Sequence, residues 1–195
     1  LRTLGAFGNV FAIESFMDEL AEAGGLDPLE FRLRNLDDDR AKAVLTAMSE
    51  KLNAVPLPEG RGRGIGFGQY KNEKTYAAVG VELSVNDAAE VQLHRTVIAA
   101  DAGQVVDPDG LAAQMEGGFL QAASWTLFEA VKFDQDGIPS RDWDDYPILR
   151  FDNIPEIETI LMDRPGDPYL GAGEAVSGPT AGAIANAIYN ATGQR

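Results

Sequence analysis

Apolar residues recur with a helical period over residues 10–23. Phe11, Phe16, Leu20 and Ala23 mark one face, and Glu14, Asp18, Glu19 and Glu22 lie mostly opposite. The pattern predicts a helix that buries the Phe11–Phe16–Leu20 face and stops at Gly24-Gly25. Asp27-Pro28-Leu29-Glu30 predicts a restart, with Asp27 as N-cap, Pro28 at the first helical position and Glu30 placed for a capping box. That helix is expected to run to about Leu36, with Phe31 and Leu33 free to pack. A third helix over roughly 38–53 carries Asp38 and Asp39 in its first turn, where the helix dipole favours anions, so Asp37-Asp38-Asp39 reads as a solvated helix start.

Past the turn-rich connector from Pro56 to Gly64 the period shortens. Strand-like runs fall at about 65–71, 76–85 and 90–100, separated by Asn72-Glu73-Lys74 and Asn86-Asp87-Ala88, both of which read as hairpin turns. In the third run Val91, Leu93 and Val97 alternate with Gln92, His94 and Thr96, which makes His94 a surface histidine. Asp107-Pro108 opens a long helix to about Ala130, and a polar loop covers 133–147. A strand over 157–162, a Gly/Pro-rich loop over 164–178 and a helix from Pro179 to Asn190 with Gly193 at C′ complete the chain. The fold class is α+β: an antiparallel meander flanked by helices, with two long loops of the kind that more often carry function than idle.

Charge and composition narrow the functions. Among 195 residues, 16 Lys and Arg against 31 Asp and Glu leave a net charge of −15, a surface that repels phosphate backbones and argues against a nucleic-acid partner. With no cysteine there is no thiolate metal site or cysteine nucleophile, and with one histidine, His94, there is no His-rich metal cage. No apolar stretch approaches the roughly 18 residues of a membrane span. A missing leader says nothing of compartment in a chain that opens on Leu1, so bacterial cytoplasm, periplasm and membrane association all stay open.

Most loop motifs have bland readings. Gly62, Gly64, Gly66 and Gly68 recur with period two, which is no phosphate loop but a strand that another backbone approaches closely. Asp134-Gln135-Asp136-Gly137 lacks the closing Glu of a calcium loop and reads as a turn. No G-x-S-x-G elbow accompanies the single histidine, so a serine triad is dropped. Leu170-Gly171-Ala172-Gly173-Glu174-Ala175 is different. One carboxylate stands among glycines and small residues, with no cation within three positions. A desolvated glutamate in such a place is expected to have a raised pKa and to suit general-base work near neutrality.

Four ordered segments carry a resemblance. They are Leu1-Arg2-Thr3-Leu4-Gly5 leading into Phe11-Ala12-Ile13-Glu14; Asp27-Pro28-Leu29-Glu30-Phe31-Arg32; Asp101-Ala102-Gly103 with Asp107-Pro108 and Gln114-Met115-Glu116-Gly117-Gly118; and Gly173-Glu174-Ala175 followed by Gly178-Pro179-Thr180. In order and character they resemble the xanthine dehydrogenase/aldehyde oxidase family, the molybdenum hydroxylases. Ser140–Asp152, with Asp-Tyr-Pro-Ile-Leu-Arg at 145–150, is most similar to the large subunit of the isoquinoline 1-oxidoreductase and nicotinate dehydrogenase branch.

The resemblance implies that residues 1–195 are a C-terminal fragment of the molybdopterin-binding domain. A helical segment would cover 1–55, and 60–195 would hold the strands, the cofactor-contacting helix and the catalytic glutamate loop. It implies hydroxylation of an electron-poor carbon in an N-heterocycle or aldehyde, with oxygen from water and Glu174 as general base at the molybdenum centre. Gln114, Arg2, Gly5 and Gly173 would contact molybdopterin, in its cytosine dinucleotide form, and Leu4 would line the substrate pocket. No protein side chain would ligate the metal. An iron–sulfur subunit, with or without a cytochrome, and the rest of the large subunit would be the partners. Two departures stand out: Asp107 where the family usually has Asn, and Leu4 where a substrate-stacking aromatic is common. A non-catalytic binding or assembly module, or an isolated fragment lacking the rest of the active site, is the competing reading.

Overall fold

The computed structural model describes residues 2–195, so Leu1, the first residue of the Leu1–Gly5 motif, lies outside the described residues. Five helices and four strands follow in the order α1 (Ala6–Ala23), α2 (Pro28–Asn35), α3 (Asp39–Asn53), β1 (Arg61–Gln69), β2 (Tyr76–Val85), β3 (Val91–Asp101), α4 (Pro108–Leu127), β4 (Glu156–Leu161) and α5 (Ser177–Thr192). Helix starts obey the local chemistry. Asp27 accepts from the N–H groups of Leu29 and Glu30, Asp38 from those of Arg40 and Ala41, and Asp107 from that of Gly110 at 3.0 Å. Glu30 pairs with Arg34 one turn on instead of closing a capping box. Gly193, at φ 71°, ends α5 and donates to Tyr189 O.

The sheet order is β1-β2-β3-β4. The first three strands form the expected antiparallel meander, but β4 lies parallel to β3. A parallel neighbour needs a crossover, and α4 with the polar loop supplies it. Helices cover both faces. Met115 and Phe119 of α4 and Ile184 of α5 pack with Val79, Val81, Leu83 and Ile98, while Val44, Leu45 and Met48 of α3 pack with Ala78, Val97 and Ala99 on the other side. Leu93 and Val97 therefore face opposite layers, contrary to a simple alternation. A bulge explains it: Glu82 pairs with Arg95 and Leu83 with Leu93, leaving His94 extra and inverting the side-chain order beyond it. His94 is half-buried, with Nε2 2.8 Å from Ser84 Oγ.

The even-spaced glycines of β1 let α5 lie directly on the strand. A Cβ at Gly62 would meet Ala187 O at 2.4 Å, one at Gly64 would meet Ala187 N at 2.1 Å, and one at Gly66 would meet Pro179 O at 2.3 Å. Two residues of strand advance about 6.8 Å and four of helix about 6.0 Å. Alternate glycines thus meet successive helical turns.

The packing of α1 corrects the expected face. Phe11, Phe16 and Leu20 are 41%, 56% and 39% exposed, and the buried positions are Glu14 and Ala21. Gly182 brings α5 so close that its Cβ would stand 2.7 Å from Glu14 Cβ, a contact bulky side chains cannot make. Glu14 Oε2 accepts from Arg32 Nε at 2.9 Å and from Phe67 N–H at 2.8 Å, and Arg32 also faces Asp18 at 2.7 Å. Glu14 is buried, and Asp18 largely so, because Arg32, itself 1% exposed, supplies their counter-charge, while Glu19 and Glu22 stay exposed.

Candidate active site

The loop between β4 and α5 is fastened at several points before it reaches Glu174. Arg164 pairs with the buried Asp101 at the end of β3, Leu170 N–H donates to Ala102 O at 2.7 Å, and Thr75 Oγ1 donates to Gly171 O at 2.9 Å. Gly103, at φ 73°, sits where a Cβ would stand 2.0 Å from Pro168 O, so the two backbones touch. Gly173 O then accepts from Arg2 Nη2 at 2.6 Å and from Gln114 Nε2 at 2.7 Å. Arg2, Gln114, Gly173 and Glu174, far apart in sequence, come together here.

Each oxygen of the Glu174 carboxylate takes one donor. Thr3 N–H reaches Oε1 at 2.7 Å, and the Tyr70 hydroxyl reaches Oε2. The expected raised pKa is corrected by this geometry. Tyr70, then the Thr3 amide, hold the half-buried carboxyl below its ordinary value, and Arg2 and Lys71 add attraction that the sequence spacing concealed. The same bond pushes the Tyr70 phenol up. Both donors stand beside left-handed turns, Thr3 and Leu4 at φ 65° and 52°, Lys71 and Asn72 at 54° and 56°. Such conformations cost about 1–3 kcal/mol each in residues other than glycine and gather at functional sites.

Thr3 and Tyr70 also line a cavity of about 400 Å³, together with Leu4, Gly5, Val10 and Lys71. Leu4 is 67% exposed and presents its side chain at this wall. Gly5 precedes α1, where its backbone is the N-cap. Tyr70, Thr3 and Lys71 were not foreseen. No motif surrounds Tyr70, and only the fold of the β1–β2 hairpin turns it toward a carboxylate 104 positions away.

A family model described as a molybdopterin cofactor-binding domain matches residues 43–155, more than half of the chain. The chain belongs to the molybdopterin cofactor-binding domain family. Among relatives of this domain, a nicotinate dehydrogenase chain from Pseudomonas putida is 39% identical over all of this chain and 18% of its own length. The beta chain of isoquinoline 1-oxidoreductase from Brevundimonas diminuta is 30% identical over all of this chain and 25% of its own. The chain thus spans 18% to 25% of these relatives' lengths. The crystal structure of the aldehyde oxidoreductase from Desulfovibrio desulfuricans shares the fold, with a TM-score of 0.85 at 16% identity, covering all of this chain and 39% of that one.

The local donors suit the phosphate-bearing cofactor that the family name implies. Besides Arg2 and Gln114, the N–H groups of Gly173, Glu174 and Ala175 donate to no acceptor among the described residues, just ahead of the α5 N-terminus. Nothing lies within 4 Å of where a Gly173 Cβ would stand, so the loop backbone is open to close approach. Asp107, the departure from the usual Asn, turns its carboxylate to its own helix as the cap of Gly110. No group of three or more His, Asp or Glu able to hold a metal ion occurs among the described residues.

Proposed function

We propose that this chain supplies the general base and part of the cofactor cradle of a molybdenum-dependent hydroxylase that inserts water-derived oxygen at an electron-poor carbon of an N-heterocycle or aldehyde. The observation that carries the reading is Glu174: an ionised carboxylate with one donor on each oxygen, both donors belonging to residues, Thr3 and Tyr70, that line a cavity about 400 Å³ in volume. Each oxygen keeps a lone pair, so Glu174 accepts a proton without first losing its place. Arg2 and Gln114 hold the Gly173 carbonyl and fix the carboxylate's position.

Gln114, Arg2, Gly5 and Gly173 are the residues that would hold molybdopterin, in its cytosine dinucleotide form. The bound group supplies molybdenum as a two-electron acceptor and the pterin that anchors it, so the chain needs no metal ligand of its own. Leu4 lines the substrate side. An iron–sulfur subunit, with or without a cytochrome, would carry electrons onward, and the rest of the large subunit would close the site. The family's description and the donor chemistry at the loop support the molybdopterin assignment; the dinucleotide form and the electron-carrying partners rest on the resemblance alone.

The test is Glu174→Gln in the assembled enzyme, assayed on N-heterocycles and aldehydes with an artificial electron acceptor. The amide keeps the shape and loses the proton-accepting oxygen, so kcat falls by about 10²–10⁴-fold. Turnover equal to wild type overturns the assignment.

A further inference from the structure

Three elements bring Glu174 and its two donors together. Thr3 stands in the turn ahead of α1, Tyr70 follows directly on the end of β1, and Glu174 lies just ahead of α5. The same three elements meet again deeper in the fold, on one buried residue, Glu14.

On the β1 side, Glu14 Oε2 accepts from Phe67 N–H at 2.8 Å, one turn of chain before Tyr70. On the α5 side, Asn186 Nδ2 donates to Glu14 O at 3.1 Å and to Ile65 O at 3.1 Å, so one amide fastens α5 to both α1 and β1. Arg32 of α2 secures the junction, with Nε on Glu14 Oε2 at 2.9 Å and Nη2 on Glu14 O at 3.0 Å. Glu14, Arg32 and Asn186 are 4%, 1% and 1% exposed, so water cannot readily replace a bond lost among them. A carboxylate in this place carries a desolvation cost that an apolar side chain would not. What it gains is a fixed relation among three elements.

We propose that Glu14 is a positioning residue for the reaction: by tying α1, β1 and α5 at one buried point, it holds the Thr3 and Tyr70 donors on the Glu174 carboxylate. The inference rests on the reading of Glu174 as the base. Asp18 supplies an internal comparison. It faces the same Arg32 guanidinium at 2.7 Å, but its side chain makes no hydrogen bond or ion pair to β1 or α5 among the described residues.

The experiment follows kcat/KM against pH in the assembled enzyme, with hydrogen exchange over the Thr3 turn and the β1–β2 hairpin. Glu14→Gln leaves one acceptor oxygen for two donors, Arg32 Nε and Phe67 N–H, so the tie slackens. Glu174 then drifts toward the ordinary carboxylate value, and the acid limb moves to higher pH. At neutral pH kcat/KM falls by about tenfold, within the roughly 100-fold that a misplacement near 1 Å costs. In a Tyr70→Phe background the same change costs only about threefold, because both variants act on one bond. The Thr3 turn and the hairpin exchange faster. Asn186→Ala keeps the Arg32 pair and moves limb and exchange the same way, which decides the matter if Glu14→Gln does not fold. Asp18→Asn leaves both where they stand. A limb and exchange that stay at wild type in Asn186→Ala or Glu14→Gln, losses that multiply fully with Tyr70→Phe, or an Asp18→Asn limb that moves as far as that of Glu14→Gln overturns the proposal. Glu174→Gln, measured alongside, separates the two claims. Wild-type turnover there removes the base, while the exchange rates still report whether Glu14 holds the donors.

Discussion

The Tyr70 hydroxyl donates to Glu174 Oε2 while the Thr3 amide donates to Oε1, so a hairpin tip and the turn before α1 grip one carboxylate from two sides. The donors keep Glu174 ionised below the pH at which an ordinary glutamate protonates.

Tyr70→Phe removes the larger of these effects. The Glu174 pKa then rises toward the ordinary carboxylate value. Activity that depends on the ionised form is lost sooner as pH falls, and the acid limb of the kcat/KM profile moves to higher pH. At neutral pH kcat/KM drops by about tenfold, the low end of what a hydrogen bond to a charged group contributes. A tyrosine of merely structural importance would leave the acid limb where it stands.

Gly64→Ala places a methyl 2.1 Å from Ala187 N and 2.3 Å from Ala183 O, both backbone atoms of α5. Backbone cannot rotate aside as a side chain can. The variant loses about 3 kcal/mol or more, read as a lower urea midpoint. Gly173→Ala, whose Cβ meets nothing within 4 Å, holds the wild-type midpoint to within about 1 kcal/mol.

Asp101 is 0% exposed and anchors the Glu174 loop through Arg164 and helix α3 through Arg40. Burial pushes its carboxyl up, but bonds from Arg40, Arg164 and the Gly103 amide outweigh burial and hold it below the ordinary value. Its stabilising effect is therefore present above the unfolded value, about 3.9, and lost as pH falls through the depressed folded value. Asp101→Asn lowers stability by about 3 kcal/mol at pH 7. Urea unfolding at pH 7 and pH 3 gives a smaller gap between variant and wild type at the lower pH.

How much was legible in the sequence follows from the range of each interaction. Asp27-Pro28, Asp38 and Asp107-Pro108 start their helices where the sequence places them, because a cap reaches only two or three residues. The β1 glycines announced a close approach but not its partner. The buried face of α1 went the other way, since Glu14 became tolerable inside only when α2 delivered Arg32, 18 residues on.

Local pattern and short-range chemistry were enough for the starts of α2, α3 and α4, the order of the three antiparallel strands, the α+β class and the loop that bears Glu174. By contrast, β1 begins at Arg61, inside the stretch read as a connector, and α1 and α5 begin earlier than their apolar pattern. What surrounds the Glu174 carboxylate was set by the packing of distant segments. Arg2, Thr3, Tyr70, Lys71 and Gln114 converge on one loop through contacts spanning up to 171 residues. A pKa responds to neighbours in space, so a glutamate with no cation nearby in sequence is folded into a site of donors and cations that lowers it.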